Sequence, residues 1–568
     1  MLARNRTSRT SSTRPNATTG TGATSTGAPD TGSGTGTRTA TDRKAVPSRE
    51  TATIQDAAGP MEDEYLIPMY AARGLSTPVP RYRIPEDSMP AGVAAKIIAD
   101  ELNLDGNPAL NLASFVTTWM EPEADQLIVS TLDKNFVDAD EYPQTVEIHD
   151  RCVNIIASLF HAPEEANYTG CATVGSSEAI HLAGLAMKWR WRAKRRATGL
   201  PDDRPNIVMG HNVQVCWEKF ARYFDVEPRY VPLTENRYVI GVDEAMSRVD
   251  ERTIGVVGIL GSTYTGEYEP VAGLAAALDD LQSRTGLDVP LHVDAASGGF
   301  VAPFLQPELE WDFRIPRVCS INTSGHKYGL VYPGVGWVIW RDESYLSEDL
   351  IFHVNYLGGD HPTFQLNFSR GASQIIAQYY NLLRLGRQGY ASIMHALQAS
   401  AKWLAAQIGS LGIFEIVNDG NDLPVVCFKL TGRHPYTEFD ISDILRERGW
   451  IVPAYTMAPD AEHIAVLRVV VREGLSRDLA GSLVEDLSHA IAHLEAGGKP
   501  GLVAKKREAR AGGVDHAGHI GHTDHAGRAN HTAHTAHTGN HAAAAGQADS
   551  SQTTGDGIRS RSKTHGVC

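Results

Sequence analysis

The chain has 568 residues, and its 52 lysines and arginines against 67 aspartates and glutamates give a formal net charge of −15 at pH 7. This acidic balance disfavours nucleic acid or an anionic membrane surface as the main partner. The cysteines are scattered without a CxxC pair, which predicts reduced thiols in a cytoplasmic protein and no metal site. No apolar run has the length of a membrane span or of a signal-peptide core.

The two ends differ in composition from the middle of the chain. Residues 1–58 are rich in Ser, Thr, Gly and Ala, so we predict a disordered extension. Met61 offers an alternative start for a shorter product. Residues 498–568 lose all apolar periodicity and carry histidines at mostly every third position, which predicts a disordered His-rich tail.

Strand-like and helix-like segments alternate in the middle of the chain. Residues 253–260 and 289–296 predict buried strands on either side of a helix at 271–284, which is a parallel βαβ unit with its ligand at the carboxyl ends of the strands. A further strand at 335–341 and a long helical stretch at 371–408 follow. We predict an α/β fold with an N-terminal segment at 59–115, a large domain at 116–385 and a small C-terminal α+β domain at 386–497.

A glycine and two serines precede the helical pattern that begins near residue 178. Ser177 is placed as its N-cap, and a helix N-terminus with two hydroxyls, those of Ser176 and Ser177, is a ready site for a phosphate dianion. A plain helix cap is the alternative. The GxxxxGK[ST] pattern of a nucleotide-binding loop is absent from this stretch.

Two later segments also carry candidate chemistry. Asp294 falls at the end of a buried strand, where a carboxylate needs a cationic partner such as a protonated pyridine nitrogen, and His292 lies on the same strand face. A turn-capping role is the alternative for Asp294. Lys327 follows a Ser-Gly-His turn between two strands, a setting for a partly desolvated nucleophile, although an isolated lysine of this kind is usually ordinary. A phosphate cradle, an anion for the ring nitrogen and a lysine are the parts that pyridoxal 5′-phosphate requires.

Longer motifs carry a resemblance to a known family. They include "GSSEAIHLAGLAMKWRWR", "HVDAASGGFVAPF", "SGHKYGLVYPGVGWVIWRDE" and "NFSRGASQIIAQYYNLLRLGRQGY". The sequence resembles pyridoxal-phosphate-dependent glutamate decarboxylases, of the group II decarboxylase family, over roughly two-thirds of its length. This resemblance implies the fold-type I architecture, with a large mainly parallel-sheet domain and a small C-terminal domain.

The resemblance also implies roles for individual residues. Lys327 would form the Schiff base with the cofactor, Asp294 would hold the pyridinium, and His326 would complete the catalytic set. The other expected cofactor contacts are Ser176, Ser177, Ser324, His326 and, from a neighbouring subunit, Ser369 at the phosphate, Gln214 and Ala296 on the two ring faces, Thr263 near the phenolic oxygen, and His292. The family implies dimers with active sites at the subunit interface, often assembled into hexamers.

The substrate pocket is expected at Ser114, Phe115 and, from an adjacent chain, Asp138. The family has threonine where this chain has Ser114, so the hydroxyl is kept and a methyl group is lost. An aspartate that faces a substrate carboxylate requires a proton on one of the two groups. We therefore expect L-glutamate as the favoured substrate, while Ser114 leaves the tightness of the pocket open.

The sequence predicts a decarboxylase that converts L-glutamate to 4-aminobutanoate and carbon dioxide. The alternatives are a decarboxylase of another amino acid, an aminotransferase, and a non-enzymatic metal-binding protein whose cofactor domain is vestigial. The His-rich tail either binds metals weakly or, when neutral, covers the active site and leaves it on protonation.

Overall fold

The computed structural model describes residues 80–163, 168–355 and 361–499. The described residues all belong to one compact unit, and the second unit of the chain lies outside them. The predicted extension at 1–58 and nearly all of the tail also lie outside them. The predicted domain boundaries and the two roles offered for the tail therefore stay predictions.

A seven-stranded, mostly parallel sheet forms the centre of the fold. Its strands lie in the order β1-β7-β6-β5-β4-β2-β3. Strands β2 to β6 pair in parallel, whereas β7 is antiparallel to both β6 and β1. The strands are β1 (Thr169–Thr173), β2 (Asn206–Gly210), β3 (Glu227–Val231), β4 (Thr253–Ile259), β5 (Leu291–Asp294), β6 (Val318–Thr323) and β7 (Gly336–Trp340).

The central strands are buried because helices pack against the sheet. Every residue of β4 and of β5 is buried, as the apolar runs at 253–260 and 289–296 predicted. Helix α7 (Val271–Thr285) packs on both strands through an apolar stripe at helical spacing, Val271, Leu274, Ala275 and Leu278, and ends at Gly286 in the left-handed conformation. The predicted βαβ unit is confirmed.

Three of the other described helices precede β1, and four connect successive strands of this sheet. The last one leads to the second sheet. These helices are α1 (Ala91–Leu102), α2 (Pro122–Val129), α3 (Pro143–Leu159), α4 (Ser176–Ala197), α5 (Val215–Tyr223), α6 (Val242–Met246), α8 (Ala302–Leu305) and α9 (Ser373–Ser410). A short hairpin, β8 (Phe352–Val354) with β9 (His361–Thr363), precedes α9. Helix α9 is interrupted at Gly386, whose φ of 55° and ψ of −172° are not helical, and this position coincides with the predicted domain boundary.

The C-terminal part forms a four-stranded antiparallel sheet in the order β10-β11-β13-β12. Its strands are β10 (Phe414–Asp419), β11 (Val425–Leu430), β12 (Ala454–Thr456) and β13 (Ala465–Val470), and its helices are α10 (Glu438–Glu447) and α11 (Arg477–Glu495). Strands and helices thus alternate in this part of the chain, as the α+β class predicted for it requires. Over the described ranges, no helix combines the length and the apolar character needed to cross a bilayer.

Candidate active site

The N-terminus of α4 and the turn after β6 form a polar corner at one edge of the large sheet. Ser176 Oγ lies 2.7 Å from Ser324 Oγ, and both side chains are buried, whereas Ser177 is exposed. The prediction of Ser177 as the N-cap is wrong. Gly175 is the N-cap, and the helix begins at Ser176, whose hydroxyl pairs with Ser324 across the corner instead of capping the helix. The amide groups of the first turn stay free of intrahelical bonds.

A close backbone contact fixes this helix start against the sheet. A Cβ atom on Gly336, the first residue of β7, would lie 2.6 Å from the carbonyl carbon of Gly175 and 2.8 Å from the amide nitrogen of Ser176. Any side chain at Gly336 would displace the start of α4, so glycine is required there for the observed approach.

His326 lies beside the same corner. Its Cε1 atom is 3.0 Å from the position that a Cβ atom on Gly175 would take. Its Nδ1 atom is buried and has no hydrogen-bond partner in the described part of the chain. Burial, with a smaller contribution from the nearby Lys327 ammonium, lowers the pKa of His326 to about 4, so its ring is neutral near pH 7.

Asp294 ends β5 at the same edge of the sheet, as predicted, and is buried. Its Oδ1 atom accepts hydrogen bonds from Asn322 Nδ2 at 2.9 Å and from the amide nitrogen of Ala296 at 3.1 Å. Its Oδ2 atom accepts one from Trp217 Nε1 at 2.8 Å. These donors stabilise negative charge on a carboxylate that is removed from water.

Lys327 follows Ser324 and His326 on the turn after β6. Its Nζ atom donates to Ser297 Oγ at 3.1 Å. Desolvation lowers the pKa of Lys327, and the charge of Arg468 acts in the same direction, while Asp294 opposes the shift. The turn itself is held by Thr117, whose hydroxyl donates to the carbonyl oxygen of Lys327 at 2.7 Å. A lysine with a lowered pKa at a sheet edge is suited to act as a nucleophile.

Arg468 is a residue of this site that the sequence analysis missed. It lies on β13 in the second sheet, is buried, and its Nη2 atom donates to the carbonyl oxygen of Ala113 at 2.7 Å. Its Nη1 atom donates to the carbonyl oxygen of Thr263, and its Nε atom is buried without a partner in the described residues. A charged residue inside the apolar run "AVLRVVV" was the available signal, because arginine is almost never buried without a partner.

Phe115 connects Arg468 with Lys327. Lys327 Nζ lies 5.3 Å from the centroid of its ring, and the guanidinium carbon of Arg468 lies 4.9 Å from it. The buried ring also meets Tyr328 edge-on at 6.5 Å. Phe115, predicted as a substrate-pocket residue, is therefore within reach of the lysine.

The remaining predicted cofactor contacts are Ala296, Gln214 and Thr263. The main chain of Ala296 links Asp294 with Ser324. Its amide nitrogen donates to Asp294 Oδ1, and its carbonyl oxygen accepts from the amide nitrogen of Ser324 at 3.1 Å. Gln214 is the exposed N-cap of α5, and its Oε1 atom accepts from the amide of Cys216 at 2.7 Å. The carbonyl oxygen of Thr263 accepts a hydrogen bond from Arg468 Nη1. Their predicted contacts with the cofactor stay predictions.

His292 lies deeper than the sequence suggested. Its side chain is fully buried, and its two ring nitrogens are bonded to Ser320 and Asn322 inside the sheet. Direct contact between His292 and the cofactor stays a prediction that this placement does not favour. Trp217, Ser297 and Asn322 were missed as neighbours of Asp294 and Lys327, because they depend on the start of α5, the turn after β5 and the strand register.

The two residues predicted to act on a neighbouring subunit lie in two loops that pair with each other. Asn135 forms a bridge with Gly371, and the amide of Phe136 donates to the carbonyl of Arg370 at 2.8 Å. Asp138 lies in the first loop and the exposed Ser369 in the second. Ser369 Oγ accepts from Asn135 Nδ2 at 3.4 Å. A single surface of the chain therefore presents both residues.

Ser114 lies one residue before Phe115, on the segment that Arg472 holds in place. Its Oγ atom accepts from the amide of Val116 at 3.1 Å, and its carbonyl accepts from Arg472 Nε at 3.1 Å. In the described residues, no group of three or more His, Cys, Asp or Glu side chains has the geometry to hold a metal ion.

Comparisons with known proteins agree with this arrangement. Residues 85–431 match the model described as the pyridoxal-dependent decarboxylase conserved domain. The chain is 56% identical to a glutamate decarboxylase of Solanum lycopersicum over 447 residues, which cover 78% of this chain and 88% of the relative. It is 51% identical to one of Aliivibrio fischeri over 434 residues, which cover 76% of this chain and 93% of the relative.

Solved structures show the same architecture. Glutamate decarboxylase of Lactobacillus brevis superposes with a TM-score of 0.73 at 47% identity, covering 76% of this chain and 99% of that one. A sphingosine-1-phosphate lyase of Burkholderia pseudomallei, at 21% identity and a TM-score of 0.63, covers 78% of this chain and 98% of its own, and it shares the fold alone. The fold is that of fold-type I pyridoxal-phosphate enzymes, and the chain belongs to the pyridoxal-dependent decarboxylase family.

Proposed function

We propose that this protein is a glutamate decarboxylase, which converts L-glutamate to 4-aminobutanoate and carbon dioxide. One observation carries the proposal. Lys327, Asp294 and the Ser176–Ser324 corner meet at one edge of the large sheet, in a chain whose relatives along most of its length are glutamate decarboxylases.

The residues present fit pyridoxal phosphate. A phosphate group needs donors, and the corner offers the hydroxyls of Ser176 and Ser324 and the free amides that begin α4. The buried Nδ1 of His326, without a partner in the described residues, is a further polar atom that a phosphate or its water can satisfy. Lys327 would hold the cofactor covalently, and Asp294 would lie against its ring nitrogen.

Bound pyridoxal phosphate supplies an electron sink that accepts the electron pair left on the α-carbon when carbon dioxide departs. The chain supports this chemistry with charge and position. The Asp294 carboxylate would keep a proton on the pyridine nitrogen, and its three donors keep the carboxylate in one orientation. Desolvation of the partly buried Lys327 favours the neutral amine, which is the nucleophilic form.

Arg468 is the group that we assign to the α-carboxylate of the substrate. Its guanidinium is buried, keeps one N–H without a partner in the described residues, and lies over the same Phe115 ring as Lys327. An arginine fork matches the geometry of a carboxylate. The distal carboxylate would be met by Ser114 and, from another subunit, by Asp138, with a proton shared between the two acids.

A decarboxylase of a different amino acid is the competing assignment, because the cofactor machinery would be the same and only the distal pocket would differ. The deciding experiment incubates the purified enzyme with glutamate, aspartate and aromatic amino acids and measures carbon dioxide and amine products. The proposal requires glutamate to have the highest kcat/KM. A preference for another amino acid would transfer the assignment to that substrate.

The assembly that we propose is a homo-oligomer, at least a dimer and in its larger form a hexamer, in the cytoplasm. Helix α1 buries none of its residues, and it exposes 59% of Ile98 and 59% of Leu102. Such apolar positions are suited to a contact with a second copy. The five described cysteines are free and buried, which suits a reducing compartment. Cell fractionation that finds the protein outside the cytosol would contradict this location.

Subunit complementation tests the shared site. Co-expression of Lys327→Ala with Asp138→Ala creates mixed dimers in which one site has both an intact lysine and an intact aspartate. Activity above that of either variant alone supports Asp138 acting across an interface. Two inactive variants that stay inactive together, in a preparation shown by mass to contain mixed dimers, would contradict it.

A further inference from the structure

Four polar side chains lie in a row on one face of two neighbouring strands. In the parallel pairing of β5 with β6, His292 is opposite Ser320 and Asp294 is opposite Asn322. Alternation along a strand places residues two apart on the same face, so the four side chains face the same side of the sheet. Asp294 is 5% exposed, and the other three are 0% exposed. Buried polar groups are costly unless they are hydrogen-bonded, so their pairing has to be complete.

The hydrogen bonds join these residues into a single chain, here called the Asp294 network: Ser320, His292, Asn322 and Asp294. Ser320 Oγ lies 2.7 Å from His292 Nδ1, His292 Nε2 lies 2.8 Å from Asn322 Oδ1, and Asn322 Nδ2 lies 2.9 Å from Asp294 Oδ1. The network runs from the interior of the sheet to the carboxylate at its ligand edge.

The carboxylate determines the direction of every bond in the network. A carboxylate accepts hydrogen bonds, and the amide nitrogen of Asn322 faces that of Asp294, so the amide oxygen faces His292. His292 therefore donates from Nε2, and its Nδ1 accepts from the Ser320 hydroxyl. Burial lowers the pKa of His292, although the charge of Asp294 opposes this shift, and a neutral ring matches this arrangement of one donor and one acceptor.

His292 is enclosed by other side chains of the site. The His292 ring packs edge-on against Trp217 at 5.3 Å, and Trp217 in turn donates to the other oxygen of Asp294. Both ring nitrogens of His292 are already bonded, so the ring has no polar atom left to offer to a ligand.

We infer that His292 and Asn322 are positioning residues, which hold the Asp294 carboxylate in the orientation that the pyridine nitrogen would meet, and that His292 acts through Asn322 without touching the cofactor. The inference rests on the assignment of Asp294 to the ring nitrogen in the proposed function. It goes beyond that function because it concerns residues with no contact to substrate.

The test compares variants that differ in one donor. His292→Leu removes the donor to Asn322, whereas His292→Gln keeps an N–H that can reach the same amide oxygen. Each holoenzyme is reconstituted with pyridoxal phosphate labelled with ¹⁵N at the ring, and the ¹⁵N chemical shift, measured by solid-state NMR, reports the proton on that nitrogen. Loss of a hydrogen bond to a charged network is expected to lower kcat by about tenfold or more. We expect His292→Leu to show this loss with KM little changed and with the ¹⁵N signal moved towards the unprotonated ring.

Rescue is the decisive observation. His292→Gln should return kcat and the ¹⁵N signal close to those of the parent enzyme. Thr253→Val is the matched control, because it breaks another buried hydrogen bond of the same sheet, from Thr253 Oγ1 to Asn206 Oδ1 at 2.7 Å, without touching the network. It should lower the melting temperature and leave the ¹⁵N signal unchanged. Ser320→Ala, a milder change at the far end, should move the signal in the same direction as His292→Leu and keeps the test possible if the leucine variant does not fold.

Three results would overturn the inference. The first is a ¹⁵N signal in His292→Leu that matches the parent, with only stability reduced as in Thr253→Val. The second is a glutamine variant as impaired as the leucine variant. The third is an unchanged signal in Ser320→Ala when His292→Leu cannot be purified. Asp294→Asn distinguishes a failure of the network from a failure of the site. If the ring nitrogen stays protonated in Asp294→Asn as well, the assignment of Asp294 is wrong. If Asp294→Asn removes the proton and the network variants do not, only the role of the network is wrong.

Discussion

Lys327 and Arg468 approach the same aromatic ring from different parts of the fold. The Lys327 ammonium lies 5.3 Å from the centroid of the Phe115 ring, and the Arg468 guanidinium carbon lies 4.9 Å from it. Arginine stays charged at any working pH, so of these two cations only the lysine can give up its proton. Desolvation lowers the pKa of Lys327, and the Arg468 charge adds a smaller effect in the same direction. The neutral amine, which can bind the cofactor, is therefore easier to form.

Lys327→Ala should abolish turnover while the fold is retained. The change removes the nucleophile. It breaks the hydrogen bond to the Ser297 hydroxyl, and the loss of this one bond should not unfold the protein. Borohydride reduction followed by mass spectrometry measures the covalently held cofactor, which should be present in the parent and absent in the variant. Lys402→Ala, an exposed position on α9, is the control and should behave like the parent. Substantial decarboxylation by Lys327→Ala would remove this residue from its assigned role.

Arg468→Lys should reduce kcat/KM for glutamate by about a hundredfold, since a lost bidentate charge-assisted contact is worth roughly 1.5–3 kcal/mol and the geometry of the site is disturbed as well. Lysine keeps the positive charge, so the loss of kcat/KM measures the contribution of the paired N–H donors of the guanidinium. Inhibition by 4-aminobutanoate, which lacks the α-carboxylate, should change less than threefold. An equal loss of affinity for both molecules would mean that Arg468 has a structural role only.

The fold was largely predictable from the sequence, because the buried strands of a parallel sheet and the apolar stripe of α7 follow from residue pattern alone. Asp294 and Lys327 could also be found, since Asp294 ends a buried strand and Lys327 follows a Ser-Gly-His turn after another. Arg468 and Trp217 could not be placed, because their positions depend on how the second sheet and α5 meet the first sheet. The start of α4 was misplaced, since the pairing of Ser176 with Ser324 joins residues 148 positions apart.

The stability of the apoenzyme should fall as the pH is lowered from about 6.5 to about 4. The pKa of His326 is lowered to about 4 in the folded protein, so the unfolded chain binds more protons within this window. The full contribution is about 3 kcal/mol, which is present above pH 6.5 and lost as the pH falls through the window. Urea unfolding at pH 7 and pH 4.5 measures it.

His326→Asn should reduce this pH dependence, whereas His395→Asn, at an exposed position on α9, should not. Bound cofactor should also reduce it, because an anionic phosphate near Nδ1 favours the protonated ring. A holoenzyme with the same pH dependence as the apoenzyme would argue against a phosphate beside His326.

Ser114→Thr should tighten the distal pocket. The Ser114 hydroxyl already accepts from the amide of Val116, so threonine can keep this bond while its methyl group fills space beside Phe115. Burying one methyl group is worth about 0.8 kcal/mol, so KM for glutamate should fall by about fourfold with kcat unchanged. The preference for glutamate over aspartate should rise with it.

Two further variants make this result specific. Ser114→Ala removes the bond that holds the turn, and KM should rise because Phe115 is no longer fixed in place. Ser410→Thr, at the exposed end of α9, adds the same methyl group away from the site and should change neither constant. If Ser114→Thr and Ser410→Thr gave the same KM, the added methyl group at 114 would not reach the substrate, and the assignment of Ser114 to the distal pocket would be wrong.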